Sequence, residues 1–289
     1  MTDMNATSPV KKKKITRKQR QNLITSLILM VLLVLILIPL WWSITLSFDA
    51  TAITSLPPFS WIPAELTLKN YQYAFEMIDL VRYYMNTVFI TAVNTFISVF
   101  FALLCGYAFA KGRFFGKKFW YFFMLAVMMI PFESRMIPLY LQYSQWGMIN
   151  TYWPLILGNV AYVYGVFFAS QNIAALPDSL RESACLDGAG EWCIFFRIIL
   201  PLCKPVMAAL SILQIVAQWN SYLWPMVVIR SSDKQLLSVG VSLFNAQENS
   251  IYYGPRMAVA VLSAIPLIIA FLCMQKYIVQ SVAVSGIKQ

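Results

Sequence analysis

The sequence predicts an all-α integral membrane protein with six transmembrane helices, and three observations carry that expectation. Hydrophobic residues make up 60% of the 289 and charged residues 12%, about half of the roughly 25% charge that a soluble domain carries. The apolar residues are gathered into six runs, each close to the roughly 20 residues that cross a bilayer as a helix. Lys and Arg fall unevenly between the runs, and that asymmetry orients the chain.

The first run, about 23–48, follows a basic stretch from Lys11 to Arg20. A secretory signal has an apolar region of only about 7–15 residues and ends at small residues. This run continues through Trp41 and Trp42, so it is read as a retained span behind a basic cytoplasmic tail, 1–22. Beside a span, the tail's basic charge serves orientation rather than nucleic-acid binding. Residues 23–289 then form one transmembrane domain. Two readings of the next segment, 49–84, stay open: a surface for a substrate-delivering protein, or a packed cap over the spans.

The second run is 86–110 and the third 119–141. The third contains Pro131 and Pro138 around Glu133 and Arg135, and proline removes a helix hydrogen bond, so a break is predicted there. The fourth run is 152–176, the fifth 206–229 and the sixth 257–280. With six spans and the N-terminus inside, sixteen of the 22 Lys and Arg lie on the inner side. The outer side keeps Lys69, Arg82, Arg135, Arg230, Lys234 and Arg256. The predicted topology is therefore N-in and C-in, and the net charge of +10 reports topology and contact with anionic lipid.

Absences narrow the chemistry. The chain has no histidine, which removes a Ser-His-Asp triad, a Cys-His dyad and every histidine-ligated metal site. Gly116-Lys117 lacks the first glycine of a P-loop, since position 111 is Lys, so the sequence shows no nucleotide site of that kind. Gly188-x-Gly190 begins a dinucleotide fingerprint, but position 193 is Cys. Cys105, Cys185, Cys193, Cys203 and Cys273 fit no zinc spacing and are read as small buried hydrophobes.

The long connection 177–205 has an internal design. Pro177 and Ser179-x-x-Glu182 predict a helix start with a capping box. Gly188 supplies a left-handed stop, and an apolar helical run, 191–200, halts at Pro201. A connection of that length with helices of its own generally has a job, although Glu182 would serve equally as a local cap in a loop that only joins two spans.

The same stretch carries Glu182-Ser183-Ala184, three residues, Gly188, nine residues and Ile198-Ile199-Leu200-Pro201. That spacing resembles the EAA loop of ABC importer membrane subunits, with Ser183 in place of the usual alanine. Ile137-Pro138-Leu139-Tyr140, Asp187-Gly188-Ala189 and Trp219-Asn220-Ser221-Tyr222-Leu223-Trp224-Pro225 resemble the carbohydrate-uptake branch, in particular the second membrane subunits of maltose-type and glycerol-3-phosphate-type importers. The resemblance implies a cytoplasmic coupling loop in which Glu182 meets a basic groove of an ATPase, Gly188 makes the turn, and Ala184 and Asp187 neighbour them in the docking helix, with Pro201 closing the motif. It further implies a second permease subunit in a heterodimer, two ATPase subunits, an extracytoplasmic solute-binding protein and a carbohydrate substrate. ATP and Mg would belong to the partner ATPase, with no cofactor on this chain, and the location would be the inner membrane of a bacterium, among its lipids.

Polar groups inside spans face a neighbour helix or a wet path. Asn94, Asn159, Gln214, Gln218 and Asn220 are the candidates, with Trp219, Tyr162 and Tyr222 as surfaces on which a sugar would stack. Each has the plain alternative of an interhelical hydrogen bond, contributing about 0.6 kcal/mol. Gln214 and Gln218 share a helical face, which favours a pathway stripe in the fifth span. Three classes compete: an ABC importer permease, a self-contained ion-driven transporter and a membrane enzyme. An ion-driven transporter calls for an intramembrane ion site, and Glu133 is the single carboxylate in the six runs.

Overall fold

The computed structural model describes residues 17–53, 55–246 and 252–286; most of the predicted tail, 1–22, and its lysine run lie outside them. Helices account for nearly all of it: α1 (Arg17–Ser47), α2 (Lys69–Met77), α3 (Leu80–Lys111), α4 (Lys117–Met128), α5 (Phe132–Gln145), α6 (Trp153–Val160) and α7 (Val163–Ala174) come first. There follow α8 (Asp178–Leu186), α9 (Glu191–Ile194), a π-helical turn (Phe195–Ile199), α10 (Leu200–Leu202), α11 (Lys204–Trp219), α12 (Leu223–Val228), α13 (Leu237–Ala246) and α14 (Tyr253–Gly286). No strand occurs among the described residues, only a single antiparallel bridge between Asp49 and Leu66. Four helical stretches are long and apolar enough to cross a membrane, or six if each of two bent pairs is one span.

α3 is the central element. It buries Ile90, Val99, Ala102, Leu103, Gly106 and Tyr107, and its main partner is α7, which turns Gly165, Val166, Ala169 and Ile173 inward. Small residues let these backbones approach: a Cβ on Gly106 would stand 2.7 Å from the Cβ of Ala169. Packing of this kind replaces the hydrophobic drive that is missing between helices in lipid. Phe195, Ile199, Cys203, Val206 and Leu210 complete this core from the α9–α11 side. By contrast, α1 is exposed from Arg20 to Leu37, as befits an apolar helix whose neighbour is lipid.

Two spans differ from simple rods. The third run divides into α4 and α5, which meet at 98°; Pro131 disfavours helical geometry in the residue before it, as its presence in the sequence predicts. The fifth run is shorter than predicted. α11 stops at Trp219, and the Asn220 side-chain amide donates to the Val216 carbonyl at 2.9 Å beside the backbone N–H of the same residue. Residues 223–229 form the separate α12 and its end. At the other end Pro201 does not halt the helix, which continues to Leu202 before a 76° bend into α11. A proline ring clashes with the carbonyl four residues back, and the π turn just ahead of Pro201 shifts that register, with the Leu200 N–H bonding the Phe195 carbonyl.

The segment after α1 is a packed cap. Asn70, fully buried, donates its side-chain amide to the carbonyls of Leu46, Ser47 and Asp49. The Asp49 carboxylate accepts from the Ala64 N–H at 2.8 Å, and the Trp41 indole donates to the Trp61 carbonyl. Ile62 and Leu66 nevertheless remain open to solvent. A second tie uses Asn150, whose φ of 62° suits asparagine; its side-chain oxygen accepts from the backbone N–H groups of Arg230 and Ser231. It joins the α5–α6 turn to the segment after α12.

The sequence expectation of six spans with both ends inside predicts side-specific access. Single cysteines at positions 115 and 190, in a background without the native cysteines, should react with an impermeant thiol reagent only from the cytoplasmic side. A cysteine at position 65 should react only from outside. The reverse at either face contradicts the arrangement.

Candidate functional site

Loop 177–205 is a stiff knob. Pro177, at φ −58°, precedes α8, which starts at Asp178, one residue ahead of the predicted cap. Ser179 therefore lies inside the helix and makes no capping bond, so the capping box is not formed. Asp178 occupies the first turn instead, where a carboxylate suits the helix dipole. At the other end, the Gly188 N–H bonds the Cys185 carbonyl at 3.0 Å and the Ala189 N–H bonds the Ala184 carbonyl at 2.9 Å. This is the paired Schellman pattern, which needs a left-handed residue at its turn, and Gly188 has φ 80°. A Cβ there would meet nothing within 4 Å, so the demand for glycine is one of backbone alone.

One face of α8 is seated and the other is bare. Ala184 is buried against the core of α3, α7 and the π turn. Glu182, Ser183, Cys185, Leu186 and Asp187 are exposed, Leu186 at 90%. Freed from capping, Glu182 has no ion pair or hydrogen bond among the described residues. The cysteines are less uniform than predicted: Cys203 is buried, whereas Cys105, Cys185 and Cys273 are exposed.

The seat is held by ion pairs that the sequence did not point to. Lys111, in the last turn of α3, lies 2.6 Å from the Asp178 carboxylate and donates to the Leu176 carbonyl at 2.6 Å. Its side chain is 7% exposed. Arg181 pairs with Glu191, whose second oxygen accepts from the Tyr107 hydroxyl. These groups are scattered over the sequence, and no spacing rule joins them. The Arg181 hydrogen bond, followed by that from Tyr107, holds the Glu191 carboxyl below its ordinary range. The Lys111 bond does the same for Asp178.

The predicted pathway residues fall into different places. Asn94 donates to the Gln218 side-chain oxygen at 2.9 Å and to the Leu155 carbonyl. Gln218 in turn donates to Asn159 at 2.8 Å, while Gln214 donates to the Ser98 hydroxyl at 3.2 Å and Ser98 to the Asn159 carbonyl. The Gln214/Gln218 stripe is thus an interhelical network tying α3, α6 and α11. Of its members, Gln218 and Asn159 also reach a cavity of about 280 Å³ between α3, α5, α6, α11 and α12, together with Arg135, Ser221 and Trp224. Trp219 and Asn220 line a separate cavity beside α14. Trp219 is buried there and donates its indole N–H to the Ser263 carbonyl. Residues 218 and 220 are about 200° apart around a helix of 3.6 residues per turn, which accounts for the separation.

Known proteins resemble this chain over most of its length. Residues 98–284 match the family described as binding-protein-dependent transport system inner membrane component. The arabinooligosaccharides transport system permease protein AraQ of Halalkalibacterium halodurans is 37% identical over 228 residues, covering 78% of this chain and 81% of its own. The diacetylchitobiose uptake system permease protein NgcG of Streptomyces coelicolor is 30% identical over 253 residues, covering 86% and 83%. The crystal structure of a bacterial ABC transporter involved in the import of the acidic polysaccharide alginate includes a chain with the same fold. It has a TM-score of 0.79 and 23% identity, covering 92% of this chain and 100% of that one.

The ties beneath α8 predict a pH and charge dependence. A carboxyl with a lowered pKa adds stability that is complete above its ordinary value, 4.5 for Glu191, and is lost as the pH falls through the folded value. In hydrogen exchange, the protection of 178–190 should be flat near neutrality and drop below about pH 4.5. Arg181→Ala should lower that protection about two- to fivefold at pH 7, the scale of a partly exposed pair. Unchanged protection in the variant contradicts the tie.

Proposed function

The chain belongs to the binding-protein-dependent transport system inner membrane component family, and from that premise we propose that loop 177–205 is the element through which ATP hydrolysis on a partner moves this subunit. Members are transport subunits, multi-pass in the bacterial inner membrane, and ATP is hydrolysed on a separate ATPase rather than by the permease. The chain is a carbohydrate-uptake ABC permease, the kind its sugar-transporting relatives represent. Membership sets aside both the ion-driven transporter and the membrane enzyme.

In this reading a second, related permease completes the translocation path, two ATPase subunits sit on the cytoplasmic side, and a binding protein delivers the solute from outside. The observation that carries the coupling role is the bare face of α8. A carboxylate without a partner, Glu182, and an apolar side chain, Leu186 at 90% exposure, stand together on a helix whose opposite face is fixed to α3. An exposed leucine is ordinary singly. Beside a free carboxylate on a clamped helix it fits insertion into a groove with an apolar floor and a basic rim. Because α8 is tied to Lys111 and Tyr107 of α3, a push on it is carried along that span.

Glu182→Lys tests the role. Reversing the charge against a basic groove should abolish uptake and weaken ATPase retention, while the permease pair still assembles in the membrane. Uptake at the wild-type rate with normal assembly would remove the coupling role from this loop.

A further inference from the structure

Arg135 is a partly buried charge that no described residue of the chain pairs. It lies in the third apolar run, four residues after Pro131, half-buried in the wall of the cavity between α3, α5, α6, α11 and α12. Its Nε is buried without a hydrogen-bond partner, and no ion pair reaches the guanidinium among the described residues. Glu133, two positions away, is exposed and forms no pair with it. No carboxylate lines the cavity among the described residues.

An arginine cannot discharge this cost by losing its proton. Charges in such places are expensive, pair with an opposite charge and mark a site of function. The other polar groups of the cavity fit one partner in particular. Gln218 and Asn159 present side-chain amides, Ser221 a hydroxyl, and Trp224, Phe132 and Ile90 an apolar and aromatic wall. The Trp224 indole N–H is committed to the Pro154 carbonyl and its ring packs against Phe132 and Tyr143, so it serves as a fixed apolar wall. At about 280 Å³ the space is at the lower limit of ligand pockets, about 300–1,000 Å³. It therefore suits one sugar unit of a larger solute rather than the whole.

We propose that this cavity is an anion subsite of the translocation path, in which Arg135 binds the carboxylate of an acidic sugar unit while the amides of Gln218 and Asn159 meet its hydroxyl groups. The planar guanidinium takes a carboxylate by two parallel hydrogen bonds, which neither the amides nor a neutral wall can supply. A phosphate ester offers the same recognition chemistry, so the experiment separates the two. The inference rests on the carbohydrate-permease reading and adds to it the charge of the solute.

The test is uptake by the complete importer, reconstituted in proteoliposomes with its permease partner, ATPase and binding protein. Labelled digalacturonate, glycerol 3-phosphate, arabinobiose and lactose serve as probes, and basal ATP hydrolysis as the measure of assembly. Loss of a hydrogen-bonded charge pair corresponds to about tenfold or more. Arg135→Gln should therefore cut digalacturonate uptake at least tenfold and leave any neutral uptake and basal hydrolysis unchanged, with Arg135→Lys in between. If glycerol 3-phosphate alone shows that dependence, the subsite is one for phosphate esters and the sugar-acid assignment is overturned. Equal anion uptake by Arg135→Gln and wild type overturns the subsite. So does an equal fall for anionic and neutral probes, or a loss of assembly, which would mark Arg135 as the pair of a carboxylate in the partner permease. Wild-type uptake of neutral sugars alone overturns the subsite and leaves the carbohydrate reading standing. Uptake of no probe counts against both.

Discussion

Lys111 ends α3 with its ammonium group 2.6 Å from both the Leu176 carbonyl and the Asp178 carboxylate. One cation thereby joins the inner end of a long span, the chain just past α7 and the first residue of α8. Four residues earlier on the same face, Tyr107 reaches Glu191, which also holds Arg181. The two tied residues of α8, Asp178 and Arg181, and Ala184 follow one another at intervals of three along one side of the helix. Individually such pairs are weak when exposed, but Lys111 is 7% exposed, and Ala184 is packed in the apolar core. A helix held in this way can pass on a displacement; the same helix on a slack tether would absorb it. Beyond these ties, α3 makes further contacts along its length.

Those contacts alternate between two solutions to the same problem. Toward the inner end, α3 meets α7 through Ala102 and Gly106 against Gly165 and Ala169, where contact distance does the holding. Further out, Asn94 and Ser98 meet Asn159, Gln214 and Gln218, where hydrogen bonds do. Polar bonds of this kind contribute modestly in membranes, yet they can exchange partners without opening a void, as close-packed glycine and alanine cannot. The cavity with Arg135 lies beside the exchangeable half. The structure thus separates a rigid section next to the loop from an adaptable section next to the cavity.

How much of this was legible in the sequence follows the range of the signals. Long apolar helices and the break at Pro131 come from local composition and one proline, and both appear, with four helices long enough to cross a membrane and six only if each bent pair counts as one span. The stop at Gly188 was legible because a left-handed turn needs a specific residue, and the Schellman bonds follow it. The capping box at Ser179 was not formed, since Pro177 takes the cap position and the helix starts two residues earlier than the four-residue pattern suggested. Gln218 lies at one cavity and Trp219 and Asn220 at another, because adjacency in sequence is not adjacency on a helix. The ties of Lys111 to Asp178 and of Tyr107 to Glu191 bridge 67 and 84 positions, beyond the reach of periodicity. No spacing rule would have joined Arg135 to the amides of Gln218 and Asn159 either.

The central claim is that the bare face of α8 meets the ATPase. A photo-reactive amino acid at position 186, in the intact membrane complex, measures this most directly. Illumination should give one covalent adduct with the ATPase subunit, and the same probe at the seated position 184 should give none. A complex that contains the ATPase yet yields adducts from position 186 only with lipid or with another membrane subunit would contradict the account.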